Sequence, residues 1–251
     1  GRRLLRSGLP LQLQDGDDGH EPAGGEANAG AVARRAGVRV PSPREPGGVP
    51  GSWGAGMFKS LDAGSSWFPI NHGLGNMFIN SLAIDPLHPQ VLYAGTYHNQ
   101  VFKSIDGGQS WFWSGTGIQA EAIVYTIAID PQNTNNLYIG TRGISNNGLP
   151  PWNGVLYKST DAGSTWRPVL QNVGGLEGQD WVYCLTVNRQ APQYVYAATH
   201  EHGVYRSINY GESWFYSSEG LDTDDDRTGR AILVDWELPN PYRVYYGAWR
   251  G

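Results

Sequence analysis

Short apolar segments that end in a polar residue recur along this chain of 251 residues. They occupy residues 81–85, 126–130, 185–188 and 231–235. After a turn that usually contains Pro, each is followed by a second apolar segment, at 91–95, 136–140, 194–198 and 244–247. A third segment follows at 101–104, 155–159 and 204–207. Short apolar runs with turn residues between them predict antiparallel β-sheets of short strands.

An eight-residue motif, called the box below, recurs four times. In three of the copies its first residue, a Ser, is the last residue of a third segment. Its pattern is Ser-x-Asp/Asn-x-Gly-x-Ser/Thr-Trp, and a fourth strand is expected to start at its Trp. The fixed residues are Ser60, Asp62, Gly64 and Trp67; Ser104, Asp106, Gly108 and Trp111; Ser159, Asp161, Gly163 and Trp166; and Ser207, Asn209, Gly211 and Trp214. The third box residues lie 44, 55 and 48 residues apart, a spacing that is typical of repeat architectures.

The residue types in the box predict a structural role. The Asp or Asn side chain can accept hydrogen bonds from the amides of a tight turn, and Gly allows a positive φ there. The Trp offers a large apolar face, which we expect to pack between adjacent repeats. Asn209 keeps the acceptor oxygen without the charge, so the fourth box is expected to form the same turn.

The boxes resemble the Asp-box (bacterial neuraminidase) repeat. The longer unit, with its Ile-Asp-Pro and Leu-Tyr-Ala-Gly-Thr segments, is most similar to xyloglucanase-like, photosystem II assembly factor-like and Vps10/sortilin-type propellers. This resemblance covers residues 51–251 and implies an all-β fold, a β-propeller of four-stranded antiparallel blades. It favours a secreted or extracytoplasmic protein and leaves the function open, because these relatives perform unrelated tasks.

The repeats predict three complete blades and two half blades. Residues 55–70 supply the third and fourth strands of one blade, and residues 231–247 supply the first and second strands of another. The chain is therefore expected to form part of a larger propeller, or a four-bladed propeller if the two halves pair. Open blade edges would expose unpaired strands and favour self-association.

Composition separates residues 1–50 from the rest. All 30 aromatic residues lie after residue 50, and the first 50 residues carry seven Arg and six acidic residues. Such a segment is expected to be disordered or foreign to the native protein, because it cannot bury enough apolar surface. The remainder holds 11 basic and 17 acidic residues without a basic cluster, which argues against a nucleic-acid partner.

Several further functions are not predicted. No apolar run is long enough to span a membrane. The single cysteine, Cys184, excludes an internal disulfide and is expected to be a buried hydrophobe. His200 and His202 lack a third ligand, so no metal site is expected, and no motif indicates a cofactor.

The rim opposite the boxes is the predicted place for a ligand, either a protein or a polysaccharide. Its loop at residues 142–153 is about nine residues longer than its counterparts, and extra loop length on a rigid scaffold often carries binding residues. Trp152 could stack on a sugar face, or it could pack against its own blade. The candidate ligand-binding residues on this rim are Trp152, Trp181, Arg142, His98 and His200.

Carboxylates on the same rim leave open an enzymatic alternative. Glycoside hydrolysis normally requires two carboxylates about 5–9 Å apart, and the candidates are Asp180, Asp226 and Glu121. They could equally be solvated loop residues. The sequence therefore predicts a non-catalytic binding scaffold, with a fragment of a polysaccharide-acting glycoside hydrolase as the alternative.

Overall fold

The computed structural model describes residues 38–39, 54–98, 100–142, 154–171, 181–223, 227–235 and 243–248. The regular structure in these residues consists of short strands. They are β1 Val38–Arg39, β2 Phe58–Lys59, β3 Phe68–Pro69, β4 Ile79–Ile84, β5 Leu92–Thr96, β6 Val101–Ser104, β7 Phe112–Trp113, β8 Ile123–Ile129, β9 Leu137–Arg142, β10 Leu156–Ser159, β11 Arg167–Leu170, β12 Val182–Val187, β13 Val195–Thr199, β14 Val204–Ser207, β15 Phe215–Tyr216, β16 Gly229–Asp235 and β17 Arg243–Ala248.

Three four-stranded sheets confirm the predicted units. Strands β4 to β7, β8 to β11 and β12 to β15 each pair in chain order, and every pairing is antiparallel. The first strand of each unit begins earlier than its apolar pattern indicated, at Ile79, Ile123 and Val182. The sheets are the blades of the molecule, and each has its box between the third and fourth strands.

The blades pack side by side through their first strands. Strand β8 lies between β4 and β12, and β12 is followed by β16. Glycine permits this close approach, because a Cβ on Gly95 would lie 2.6 Å from Val124 Cγ1 and one on Gly140 would lie 2.5 Å from Val182 Cγ1. Buried residues from neighbouring sheets then form shared apolar clusters, one of which joins Tyr93, Ile139 and Trp166.

The two half blades form separate sheets. Strand β2 pairs with β3 on one side and β1 on the other, while β16 pairs with β17 alone. No ladder joins these two sheets in the described part of the chain, so the described arc is open. The alternative of a four-bladed ring closed within one chain therefore finds no strand pairing in these residues.

Residues 1–50 are described only at Val38–Arg39, which adds a two-residue strand to the first half blade. The expectation that residues 1–50 are disordered or foreign to the native protein stays a prediction. Cys184 is buried in β12, and burial raises the pKa of its thiol to about 11. No helix among the described residues is long and apolar enough to cross a membrane.

Candidate functional site

Each box is a tight turn held by its own side chains. In the second box, the amide of Gly108 donates to Ser104 Oγ at 2.9 Å, and Ser104 Oγ donates to Asp106 Oδ1 at 2.8 Å. The amide and the hydroxyl of Ser110 both donate to the Asp106 carboxylate. These bonds favour the charged form, so the Ser110 hydroxyl and amide lower the pKa of Asp106 to about 2.

The other boxes repeat this network, and the fourth does so without a charge. Bonds from the Ser66 hydroxyl and amide lower the pKa of Asp62 to about 2. Burial raises the pKa of Asp161, but bonds from Thr165 and Ser159 outweigh it and lower the pKa overall. In the fourth box the side-chain oxygen of Asn209 accepts from the backbone amide of Ser213 at 2.9 Å, and its side-chain NH₂ group donates to Ser213 Oγ at 2.8 Å.

The box tryptophans join adjacent blades in two of the four copies. Trp111 and Trp166 are buried, and their indole N–H groups donate to carbonyls of the preceding blade, those of Ile70 and Ser114, both at 2.8 Å. Trp67 and Trp214 donate instead to their own turns. The bond between blades therefore occurs at Trp111 and Trp166, whereas Trp214 packs against the preceding blade without it.

Side chains of one blade also donate hydrogen bonds to the box of the next blade. Tyr93 Oη and Lys103 Nζ both donate to the carbonyl of Ala162 in the next box, at 2.9 and 2.7 Å. Tyr138 Oη donates to the carbonyl of Tyr210 in the following box at 2.9 Å. The box acids thus bond within their own turns and the neighbouring Tyr and Lys side chains join the blades, which supports a structural role for the box.

The opposite rim, called the loop rim below, carries a β-bulge at the same place in every first strand. Each ladder skips one residue near the start of the strand. A bulge shifts the ladder register by one residue and re-aims the side chain at that position. The residues at this position are Asn80, Tyr125, Tyr183 and Arg230. Because the first strands of successive blades are neighbours, these residues form a row along the loop rim.

Aromatic and cationic side chains from successive blades meet around Trp181. This group, called the loop-rim cluster below, consists of Tyr125, Arg142, Trp181, Tyr183, His200 and Arg230. The Arg142 guanidinium lies 4.2 Å from the Trp181 ring centroid, and the His200 ring stacks on the same indole at 4.4 Å. Arg230 lies 3.9 Å from the Tyr183 ring centroid. The Tyr183 ring is 5.0 Å from that of Tyr125 and 5.6 Å from that of Trp181.

The structure brings together three of the five sequence-predicted ligand residues. Arg142, Trp181 and His200 lie in the loop-rim cluster. Trp181 is only 6% exposed, so it supports its neighbours and does not offer an open platform. His98 lies one blade away in the turn after β5, with its ring edge-on to Tyr97 at 4.3 Å.

The remaining candidates do not join that cluster in the described residues. Glu121 is exposed in the loop before β8, with a positive φ of 59°. Trp152, Asp180 and Asp226 lie outside the described residues. Near the cluster, Glu201 Oε1 lies 3.3 Å from His200 Nδ1. No group of three or more potential metal ligands occurs in the described ranges.

Sequence reasoning missed Tyr125, Tyr183 and Arg230 as site residues. The available signal was positional: each lies near the start of the first strand of its sheet, five residues before the polar residue that ends the apolar segment. A bulge cannot be recognised from such a pattern, and these residues lie just before the apolar segments that predicted the first strands.

Four-stranded antiparallel blades packed through their first strands define the β-propeller class, as expected from the repeats. Solved structures agree. A GH74 xyloglucanase from Xanthomonas campestris superimposes with a TM-score of 0.52 at 21% identity, over 64% of this chain and 26% of that chain. An ancestral GH74 enzyme gives 0.57 at 20% identity, over 72% of this chain and 23% of that chain. These likenesses establish the fold.

A likeness in sequence points in the same direction. The chain is 30% identical over 95 residues to xyloglucanase Xgh74A of Acetivibrio thermocellus, which is 36% of this chain and 11% of that protein. This chain therefore spans about a tenth of the length of that relative and about a quarter of the solved xyloglucanases. No family model matches the chain.

Proposed function

We propose that this chain is a non-catalytic propeller that binds a polysaccharide on its loop rim. The observation that carries the proposal is the loop-rim cluster, in which Arg142, His200 and Arg230 lie against aromatic rings. The rings themselves are buried, so Arg142, His200 and Arg230 are the groups that would donate hydrogen bonds to sugar hydroxyls.

The contrast between the two rims supports this choice. The box rim uses its carboxylates, hydroxyls and carbonyls within the turns and the joints between blades. The likeness of these turns to Asp-box repeats agrees with a structural role there. Residue type varies at the bulge position of the loop rim, from Asn80 to Tyr125 and Arg230, within one repeated backbone. Variation of side chains on a constant scaffold is typical of a binding surface.

The sequence likeness to xyloglucanase Xgh74A favours a second candidate, a fragment of a glycoside hydrolase that acts on polysaccharide through carboxylates of the loop rim. Hydrolysis would require two carboxylates about 5–9 Å apart. Of the candidates, Glu121 is exposed on this rim. Asp180 and Asp226 would have to supply the second carboxylate.

Binding of soluble xyloglucan, measured by affinity electrophoresis and by calorimetry with its oligosaccharides, tests the proposal. Arg142→Gln is expected to weaken binding about tenfold, because a hydrogen bond from a charged group contributes about 1.5 kcal/mol. The matched control is Arg206→Gln, which changes an exposed arginine near the box rim and is expected to bind like the wild type.

Equal binding by both variants, or no binding of any polysaccharide by the wild type, would refute the proposal. Release of reducing sugar by the wild-type chain, abolished by Asp180→Asn or Asp226→Asn, would establish the hydrolase candidate in its place.

A further inference from the structure

The fourth strand of the β4–β7 blade ends in a half-exposed tryptophan. Trp113 is the last residue of β7, lies at the loop-rim end of that strand and is 53% exposed. In the ladder it pairs with Phe102, which is buried in an apolar cluster shared with the preceding sheet. A second apolar cluster joins the blade to the following sheet. Trp113 therefore stands at the outer margin of a blade that is packed on both sides.

The indole of Trp113 is held in one orientation by a buried side chain. Its Nε1 donates to Gln100 Oε1 at 3.0 Å. The side-chain NH₂ group of Gln100 donates in turn to the carbonyls of Ile118 and Gln119, at 3.0 and 2.9 Å. Gln100 is only 7% exposed, and these bonds use its acceptor and both of its donor hydrogens. Because the indole N–H has its partner inside the protein, the ring presents its apolar face to solvent.

Gln100 adopts a backbone conformation that favours glycine. Its φ is +64°, and it lies four residues before the Ser of its box. The residues at the same distance before the first and fourth boxes are Gly56 and Gly203, with φ values of +75° and +68°. A residue with a Cβ is disfavoured in this conformation, and such strain is often retained where a side chain serves a ligand site.

The residue that faces Gln100 across the blade differs in the same way. In the sheets that contain Gly56 and Gly203, the side chains of Asn71 and Ser218 accept from the backbone amide that follows the glycine, at 2.6 and 2.8 Å. The equivalent of Asn71 and Ser218 in the β4–β7 blade is Gly115. A Cβ on Gly115 would lie 2.2 Å from Gln100 Oε1 and 2.8 Å from Trp113 Nε1. The exchange of the two positions thus supplies the acceptor for the indole and the space in which it lies.

The turn that holds Trp113 is continuous with the loop-rim cluster. Tyr97, Arg142 and His200 each directly follow a buried Thr on the second strand of their blades. The Tyr97 amide donates to the Phe78 carbonyl at 3.0 Å, as the His200 amide does to that of Trp181. Because the three blades are neighbours in this order, these residues form a row that leads from the cluster to the turn ending at Gln100.

We propose that Trp113 is a stacking platform for one sugar ring of a bound polysaccharide and that Gln100 positions it. This inference rests on the proposed function. In the loop-rim cluster the donors Arg142 and His200 lie against buried rings, whereas Trp113 presents an open ring face. A sugar ring carries C–H groups on its faces and hydroxyls at its edge, so it suits a flat aromatic surface in line with hydrogen-bond donors.

The size of the platform favours a sugar over a protein partner. Trp113 is a single fixed ring, and the loop that follows it exposes the polar residues Thr116 and Gln119. A stable protein interface buries about 800 Å² on each partner, far more than one indole face offers. One indole face is comparable in area to one pyranose ring.

Calorimetry on the full chain with xyloglucan oligosaccharides tests the platform. Trp113→Ala is expected to weaken binding about tenfold, because it removes the stacking contact. One matched control is Phe112→Ala, which truncates the neighbouring residue on the other face of β7. The second is Tyr216→Ala, at the equivalent position of β15 and 54% exposed. Both controls are expected to bind like the wild type.

The double variant Gln100→Gly with Gly115→Ser tests the positioning role. It installs the arrangement of Gly203 and Ser218 in the β4–β7 blade and leaves Trp113 in the sequence. Its melting temperature is expected to stay close to that of the wild type, while its affinity falls about as far as in Trp113→Ala. In chains labelled with 5-fluorotryptophan, the Trp113 resonance, assigned by its loss in Trp113→Ala, is expected to move on addition of oligosaccharide in the wild type and to stay in place in the double variant.

The outcomes separate this inference from the function on which it rests. Wild-type affinity of Trp113→Ala beside weakened binding by Arg142→Gln would overturn the platform and leave the proposed function standing. An equal loss in Tyr216→Ala, or a Trp113 resonance that ignores the oligosaccharide, would also overturn it. A double variant that binds like the wild type, or that unfolds, would overturn the role given to Gln100. A wild type that binds no polysaccharide would overturn both the inference and the proposed function.

Discussion

At the scale of single residues, the box shows that one backbone turn accepts two different side-chain chemistries. Asp106 receives both Ser110 donors on its carboxylate, whereas Asn209 accepts from the Ser213 amide and donates to the Ser213 hydroxyl. The hydroxyl rotates to suit either partner, because it can donate or accept. Turn geometry therefore depends on the acceptor oxygen, and the charge adds a dependence on pH.

Asp106→Asn is expected to reduce the loss of thermal stability in acid. The folded pKa of Asp106, about 2, lies below its ordinary value of 3.8. A depressed pKa contributes stability that is present above pH 4 and is lost as the pH falls toward 2. Melting temperatures between pH 5 and pH 2 measure the difference between the variant and the wild type.

The opposite exchange is the control for this prediction. Asn209→Asp introduces a carboxylate into the same network and is expected to steepen the decline in melting temperature over that pH window. Parallel curves for the wild type and both variants would show that the box carboxylates do not govern acid stability.

At the scale of strands and turns, the sequence predicted the elements that a repeated pattern defines. It did not predict the positions at which the ladder register shifts. The strand order and the box turns followed from apolar runs and from the box residues. The bulges at Tyr125 and Tyr183 did not, because a bulge shifts the register of two strands and leaves the apolar pattern unchanged. The loop-rim cluster escaped prediction for that reason, although Arg142, Trp181 and His200 were candidates.

The cost of a substitution in a turn between blades is expected to depend on whether the next blade packs against that turn. Gly117→Ala is expected to cost about 2–4 kcal/mol, since the backbone adopts a φ of +93° and the new Cβ would overlap the Trp166 carbonyl oxygen at 2.0 Å. Gly220→Ala is expected to cost only about 1 kcal/mol, because its φ is similar and its surroundings are open. Chemical denaturation of both variants measures the two free energies of unfolding.

Equal costs at the two glycines would show that backbone strain alone decides the effect. A larger cost at Gly220 would indicate that another surface covers this turn in solution.

At the scale of the whole molecule, the described arc behaves as a row of units that contact only their neighbours. Strand β8 has blades on both sides, through β4 and β12. The end sheets have a described neighbour on one side only, and Leu233 and Tyr245 are exposed there. In such repeat proteins stability is approximately a sum of unit terms and interface terms.

Amide hydrogen exchange is therefore expected to be slowest in β8 and β9 and fastest in β2, β3 and β17. The central strands lose two interfaces on opening and the end strands lose one, so their opening free energies differ. Exchange measured by mass spectrometry on peptides from the 123–142 and 243–248 segments tests this order. Uniform exchange would indicate a single cooperative unit.

The repeated bulge has a consequence for engineering. Asn80, Tyr125, Tyr183 and Arg230 are four backbone-equivalent positions outside the ladder, already filled by an amide, two phenols and a guanidinium. Because Arg230 lies against the Tyr183 ring and Tyr183 lies beside Tyr125, substitutions at these positions are expected to act together and not independently. A combinatorial library that varies these codons jointly would show which combinations of side chains the unchanged sheets can carry.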